Sequence, residues 1–198
     1  TGTGTFVTAI STANTSPNDV NDGKNWSAGT VPASTEDVYI DETDISLLWN
    51  LDALSAITLT SLNVGQSFTG DIGLSEYHDG NDDYPEYRAQ YWQIGVTTGL
   101  VGYGPGSGSG RIKLNCGSVS GTWTILATGG SAETNLEALL WKGTGVTNVI
   151  NVFGGTVGIA VLGTELATVA TLRAAGDASV RIGNLVTLTT LTHENGTV

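Results

Sequence analysis

Gly155-Thr156-Val157, Gly176-Asp177-Ala178-Ser179-Val180 and Gly196-Thr197-Val198 follow one another at a nearly even step of roughly 20 residues. Gly117-Ser118-Val119 precedes the first of them by close to two such steps. A repeat of that size is about the length of one coil of a parallel β-solenoid. The chain on either side of these glycines alternates. Ile112 and Leu114 oppose Arg111 and Lys113, Val180 and Ile182 oppose Arg181, and Val186 and Leu188 oppose Thr187 and Thr189. One apolar face inward and one polar face outward suits the wall of a coil, which buries its inner face only by stacking on neighbours. The reading predicts an all-β chain, a single-stranded right-handed parallel β-helix. Its expected inward residues are Ile112, Leu114, Val119, Val157, Ile159, Val180, Ile182, Val186 and Leu188.

Composition agrees with strands and turns. Threonine, valine and glycine dominate, 39% of the chain is hydrophobic, enough for a core, and only 13% is charged. The net charge of -12 is one-sided: residues 1–110 carry all of it, and residues 111–198 balance five acids with five bases. An acidic front half with two cations argues against phosphate-backbone binding, so no nucleic-acid partner is expected. No apolar run approaches the roughly 20 residues of a membrane helix, and no membrane partner is expected. The single Cys116 lies in an alternating run and reads as a small buried hydrophobe.

Residues 1–35 read as an extended N-terminal arm or cap, and 36–198 as the solenoid body with an insertion at 75–110. Too few large apolar groups lie in 1–20 to form a core, so the arm is expected to be held by edge pairing, on the open first coil of its own solenoid or, the favoured expectation, on a neighbouring subunit. Val38 to Ile40, Ile45 to Trp49, Ile57 to Leu59 and Leu62 to Val64 are short apolar runs of strand length. The insertion holds Tyr77, Tyr84, Tyr87, Tyr91, Tyr103 and Trp92, then closes in the glycine-rich run 102–110. An insertion in a solenoid projects from one face, so Tyr84, Tyr87, Tyr91 and Trp92 are interface candidates, with Phe6 and Ile10 on the arm. Glu133 to Leu140 is the one stretch that could pass for a helical turn. The chain begins at Thr1 without methionine, consistent with a processed or longer parent. It stops at Val198 within a repeat, so further protein or a partner is expected over that edge.

Few residues suggest chemistry. Asp79, Asn81 and Asp83 alternate as in the first half of a calcium loop, but Tyr84 and Gln90 stand where the glycine and final acid belong. A solvated turn is the plainer reading, and no cofactor is expected. His78, His193 and Cys116 have no zinc spacing. Asp71, Glu76, Asp79 and Glu86 lie near aromatics, as a glycan-cleaving site would require, yet the region is so acidic that proximity says little.

Asn25-Trp26-Ser27-Ala28-Gly29-Thr30-Val31-Pro32 with Asp37 to Ile40 resembles the N-terminal lead-in of bacterial and phage β-solenoid surface proteins. The run 62–74, the tyrosine-rich insertion and Gly110 to Leu114 resemble solenoid proteins of tailed bacteriophages. The resemblance implies a non-enzymatic virion protein on the particle surface. That is a capsid decoration (cement) protein, homotrimeric and docked on the major capsid protein or another virion protein. Its alternatives are a tail fibre or spike segment, a bacterial adhesin, or a glycan-cleaving tailspike.

Overall fold

In the computed structural model the described residues are 3–6 (backbone), 17–74, 89–102, 111–131, 135–195 and 197–198. The chain is all-β, and its parallel sheet curls into a half-barrel. The strands are β1 (Thr3–Phe6), β2 (Asp37–Ile40), β3 (Thr58–Val64), β4 (Trp92–Gln93), β5 (Gly95–Gly102), β6 (Ile112–Asn115), β7 (Thr122–Ala127), β8 (Leu139–Lys142), β9 (Val149–Ile159), β10 (Ala167–Ile182) and β11 (Val186–His193). Every pairing between them is parallel.

Two rows of strands run through the molecule. The first is β1-β2-β3-β5-β7-β9-β10-β11, and the second joins β4, β6 and β8 to the end of β9. Within the first row the register pairs are Asp37 with Ser61, Ser61 with Thr98, Thr98 with Thr122, Thr122 with Val149, Val149 with Thr171, and Thr171 with Thr190. The returns are therefore uneven. The longest, from Ser61 to Thr98, contains residues 75–88 of the insertion. Only the last two, Val149 to Thr171 and Thr171 to Thr190, come close to the roughly 20 residues expected of one coil.

The glycine signature is accordingly part right. Thr156 pairs with Ser179 and Ser179 with Thr197, while Val157 pairs with Val180. Gly155-Thr156-Val157 and Ala178-Ser179-Val180 thus stack as the sequence suggests, with Thr197 above them. Gly176 is displaced from the stack because the ladder bulges between Ala174 and Asp177. It takes φ +63°, and a Cβ there would sit 2.6 Å from the Phe153 carbonyl oxygen. Gly117 belongs to another turn altogether. Its carbonyl accepts the Thr144 N–H at 2.6 Å, so its mate is Thr144 and not Gly155.

The core fills the space between the rows. Ile112, Leu114, Val157, Ile159 and Val180 are buried as expected, and Val119, Ile182, Val186 and Leu188 only partly. Four tryptophans, Trp26, Trp92, Trp123 and Trp141, are its largest side chains. Cys116 is buried, and burial pushes its thiol pKa up to about 12, so it is an inert packing group. Asn148, unremarked in the sequence, is wholly buried: its Oδ1 accepts the Gly121 N–H at 2.9 Å, and its Nδ2 donates to the Gly145 and Thr168 carbonyls at 2.7 and 3.0 Å. One side chain thereby ties three successive turns, satisfying backbone groups the ladder leaves over.

Lys113, expected on the polar outer face, does not reach solvent. It is 0% exposed, because β6 is covered on both faces. Of the possible helical turn, Leu139 and Leu140 lie in β8 instead, and residues 132–134 lie outside the described residues. The runs 57–59 and 62–64 merge into the single strand β3, whereas 45–49 supplies only isolated bridges at Leu47 and Trp49.

The cap is also more built than an irregular arm. Val20, Asn25 and Trp26 are wholly buried. The Trp26 indole donates to the Val20 carbonyl at 3.0 Å, and Asn25 Nδ2 donates to the Asp19 carbonyl at 2.9 Å. The Asp22 carboxylate accepts the Lys24 N–H to start a single 3-10 turn at Gly23–Asn25. The chain thus closes its first open turn with a tryptophan plug, whose ring lies 6.3 Å from that of Trp92.

Candidate functional site

The base of the insertion is where the sequence suggests an interface, and there the structure is dense in polar contacts. Alternation through Tyr91-Trp92-Gln93-Ile94 sends Trp92 and Ile94 inward, both almost wholly buried. Tyr91 faces the other way but is only 6% exposed. The Lys142 ammonium sits 3.9 Å from its ring centroid, and Lys113 Nζ lies 5.9 Å away. The Tyr91 hydroxyl donates to Glu165 Oε2 at 3.2 Å, and Lys142 donates to Glu165 Oε1 at 2.7 Å. The Leu162 N–H donates to the same carboxylate at 3.2 Å. Two cations, a ring face and a carboxylate therefore clasp residues 89–91 to β6, β8 and the loop 160–166.

Tyr91 and Trp92, expected as interface anchors, are buried within the chain itself, at 6% and 0% exposure. The signal that could have found this is the two-residue period through Trp92 and Ile94, which the aromatic density of the insertion obscures. Tyr84, Tyr87 and Ile10 lie outside the described residues, as do Asp79, Asn81 and Asp83 of the possible calcium loop; for Phe6 only the strand backbone is described. Of the candidate carboxylates, Asp71 is an ion-pair partner: its Oδ1 accepts the Arg111 N–H at 2.9 Å and its Oδ2 lies 3.3 Å from Arg111 Nη2. Glu76, Asp79 and Glu86 lie outside the described residues.

Charge is sorted by the fold. Arg111, Lys142, Arg173 and Arg181 each pair with a carboxylate, at 2.7 to 3.3 Å. The pair Arg173–Glu194 bridges β10 to the end of β11 at the surface, where such pairs contribute little to stability. Asp19, Asp22, Glu36, Asp37, Asp41, Glu42, Asp44 and Asp52 belong to the first turns of the stack, which makes the capped end the acidic one.

Replacing Tyr91 tests the clasp. Tyr91→Ala removes a buried ring together with its contacts to Lys142 and Glu165, and is expected to cost about 3 kcal/mol. Urea unfolding would measure it; a midpoint equal to the wild type would show that the clasp contributes nothing and would return Tyr91 to the interface candidates.

No protein family, no curated protein and no solved structure matches the chain. The likeness to phage solenoid proteins gains no support from them.

Proposed function

We propose that this chain is a non-enzymatic structural protein of a virion surface. In this reading it is a capsid decoration protein, built as a right-handed parallel β-solenoid and docked as a homotrimer on a capsid shell. The observation that carries it is the parallel ladder from Thr3 to His193, with each strand of the first row returning beside its predecessor. Parallel crossovers of this kind are right-handed almost without exception. Such a stack is stiff along its length, because each layer packs on its neighbours around one continuous apolar core. Rigidity and an acidic capped end suit a protein that works by docking onto a basic surface.

For residues 3–6 the chain itself supplies the edge pairing, one of the two ways expected to hold the arm. Thr3–Phe6 pairs in register with Asp37–Ile40 of its own body. Residues 17–20 also belong to the cap rather than to a detachable arm. Deleting residues 1–6 is therefore expected to leave the body folded, with a melting temperature close to wild type, while baring the β2 edge and raising self-association. A monomer unchanged by the deletion would argue against the pairing.

The docking reading is tested by adding purified protein to virus particles stripped of it. Saturable binding to the head that raises the temperature of capsid disruption is expected, together with a trimer in light scattering. Binding at the tail would move the protein to a fibre or spike. Turnover of a bacterial polysaccharide, with no particle binding, would replace the structural role by an enzymatic one.

A further inference from the structure

The outer face of the first row is mostly threonine, serine and asparagine, until three large apolar groups appear together. Tyr39 is 44% exposed, Leu100 37% and Leu126 51%. Tyr39 pairs with Asn63 and Asn63 with Leu100, so the group lies on adjacent strands about 4.8 Å apart. With Asp41, Asn63 and Gln66 these residues line an open cavity of about 510 Å³. The volume falls within the range of small-ligand sites, and the groove, open to solvent, joins an apolar floor to a few polar groups.

The polar groups are held in place. Asp41 Oδ1 accepts the Glu42 N–H at 3.0 Å, the Ser67 N–H at 3.2 Å and the Ser67 hydroxyl. Gly65 is packed so tightly on this carboxylate that a Cβ there would overlap it. Those contacts fix Asp41 through one oxygen and leave Oδ2 able to accept from a ligand. Asn63 donates to the Ser61 hydroxyl at 3.3 Å, which orients its amide and leaves its oxygen as an acceptor.

We propose that this groove binds a neutral saccharide across β2, β3, β5 and β7. A sugar ring has an apolar C–H face and a rim of hydroxyls. Tyr39, Leu100 and Leu126 offer an apolar platform to the face, and Asp41, Asn63 and Gln66 offer planar acceptors and donors to the rim. The strand spacing is close to the length of one pyranose unit, so an oligosaccharide laid across the strands would place successive rings over successive strands. Charge selects among sugars: among the described residues no lysine or arginine lines the groove, Asp41 is in it, and the front half of the chain carries the whole net charge of -12. Phosphorylated and uronic saccharides are therefore disfavoured. A purely apolar occupant would cover Asp41 Oδ2 without offering it a donor.

The test is calorimetric titration of the full chain with three neutral hexasaccharides: β-1,4-linked glucose, α-1,4-linked glucose and β-1,4-linked N-acetylglucosamine. Binding of at least one is expected, weakened about tenfold or more by Tyr39→Ala and by Asp41→Asn, and kept by Tyr39→Phe, since the ring and not the hydroxyl forms the platform. Both positions are on the surface, and unchanged melting of the variants checks that they fold. The proposal fails if none of the three binds at millimolar concentration, or if Tyr39→Ala binds as well as wild type. It also fails if the groove instead proves to join two copies of the chain, seen as self-association abolished by Leu126→Asp. Particle binding is measured separately, so the docking role and the saccharide site stand or fall independently.

Discussion

Gly99→Ala is expected to destabilise the protein by about 3 kcal/mol, and Gly99→Leu to leave no folded monomer. Gly99 lies in β5, buried, in register with Trp123 of β7. Inward positions beside it in the same column are Leu62, Ile150 and Leu172. A large side chain at Gly99 is excluded because the Trp123 ring occupies its space: a Cβ would overlap ring carbons Cε3 and Cζ3. Trp123 cannot easily retreat, since its ring meets Trp141 edge-on at 6.5 Å and is wholly buried. The pairing also predicts rescue. Gly99→Ala combined with Trp123→Leu should cost less than the two single changes added together, as contacting residues do. Thermal melting of the four proteins decides it. Strict additivity would mean that the ring does not lie beneath Gly99.

Trp26→Ala should lower stability by about 4 kcal/mol, the range for truncating a buried aromatic. Trp26 is the plug of the capped end, wholly buried beside Trp92, and its indole N–H is bonded to the Val20 carbonyl. Removing it opens the first layer of the core to water and frees residues 17–30 from their main anchor. Hydrogen exchange should therefore accelerate first in the cap and in β2, while β7 to β10 exchange as before. Trp26→Phe should recover about half the loss, because it restores apolar volume without the hydrogen bond. Uniform acceleration across all strands would instead indicate that the cap and body unfold as one unit.

What the sequence discloses follows from which forces are local. Strand identity is local: β-branched and other apolar residues at two-residue spacing place Ile112, Leu114, Val157, Ile159 and Val180 inside, and they are inside. Stacking partners are less local. Gly155-Thr156-Val157 finds its mate because its return to Ala178-Ser179-Val180 is close to the visible glycine step. Gly117 suggests a false mate because the turns in between are longer. A parallel ladder fixes which residues meet, but it places few limits on the loops that join them.

Lys113 shows the limit most clearly. Its alternation with Ile112 and Leu114 reads as solvent-facing, which holds only if nothing covers the outer face. Tyr91 and Gly73 lie against its side chain, and both arrive from well before it in the chain. No window around Lys113 contains that information. Trp92 differs in the opposite sense: the two-residue period marking it as inward is present, but the aromatic richness of 75–110 points to a surface role. The groove at Tyr39 is invisible as a unit, since Tyr39, Asn63, Leu100 and Leu126 are dispersed along the chain and meet only through register.

The whole architecture depends on β5 lying between β3 and β7, parallel to both, with the intervening strands elsewhere. Two engineered disulfides report on that placement directly. Ser61 pairs with Thr98, and Thr98 with Thr122, all on the outer face. Neighbouring strands hold such Cα atoms within the window of about 4.4–6.8 Å that a disulfide needs. Native Cys116 is buried with its thiol pKa pushed up to about 12, so it should not compete. The variants Ser61→Cys/Thr98→Cys and Thr98→Cys/Thr122→Cys should each form an intramolecular disulfide under mild oxidation without loss of melting temperature. Failure of both pairs, with efficient cross-linking of Thr98→Cys to Asn115→Cys instead, would contradict the parallel stack.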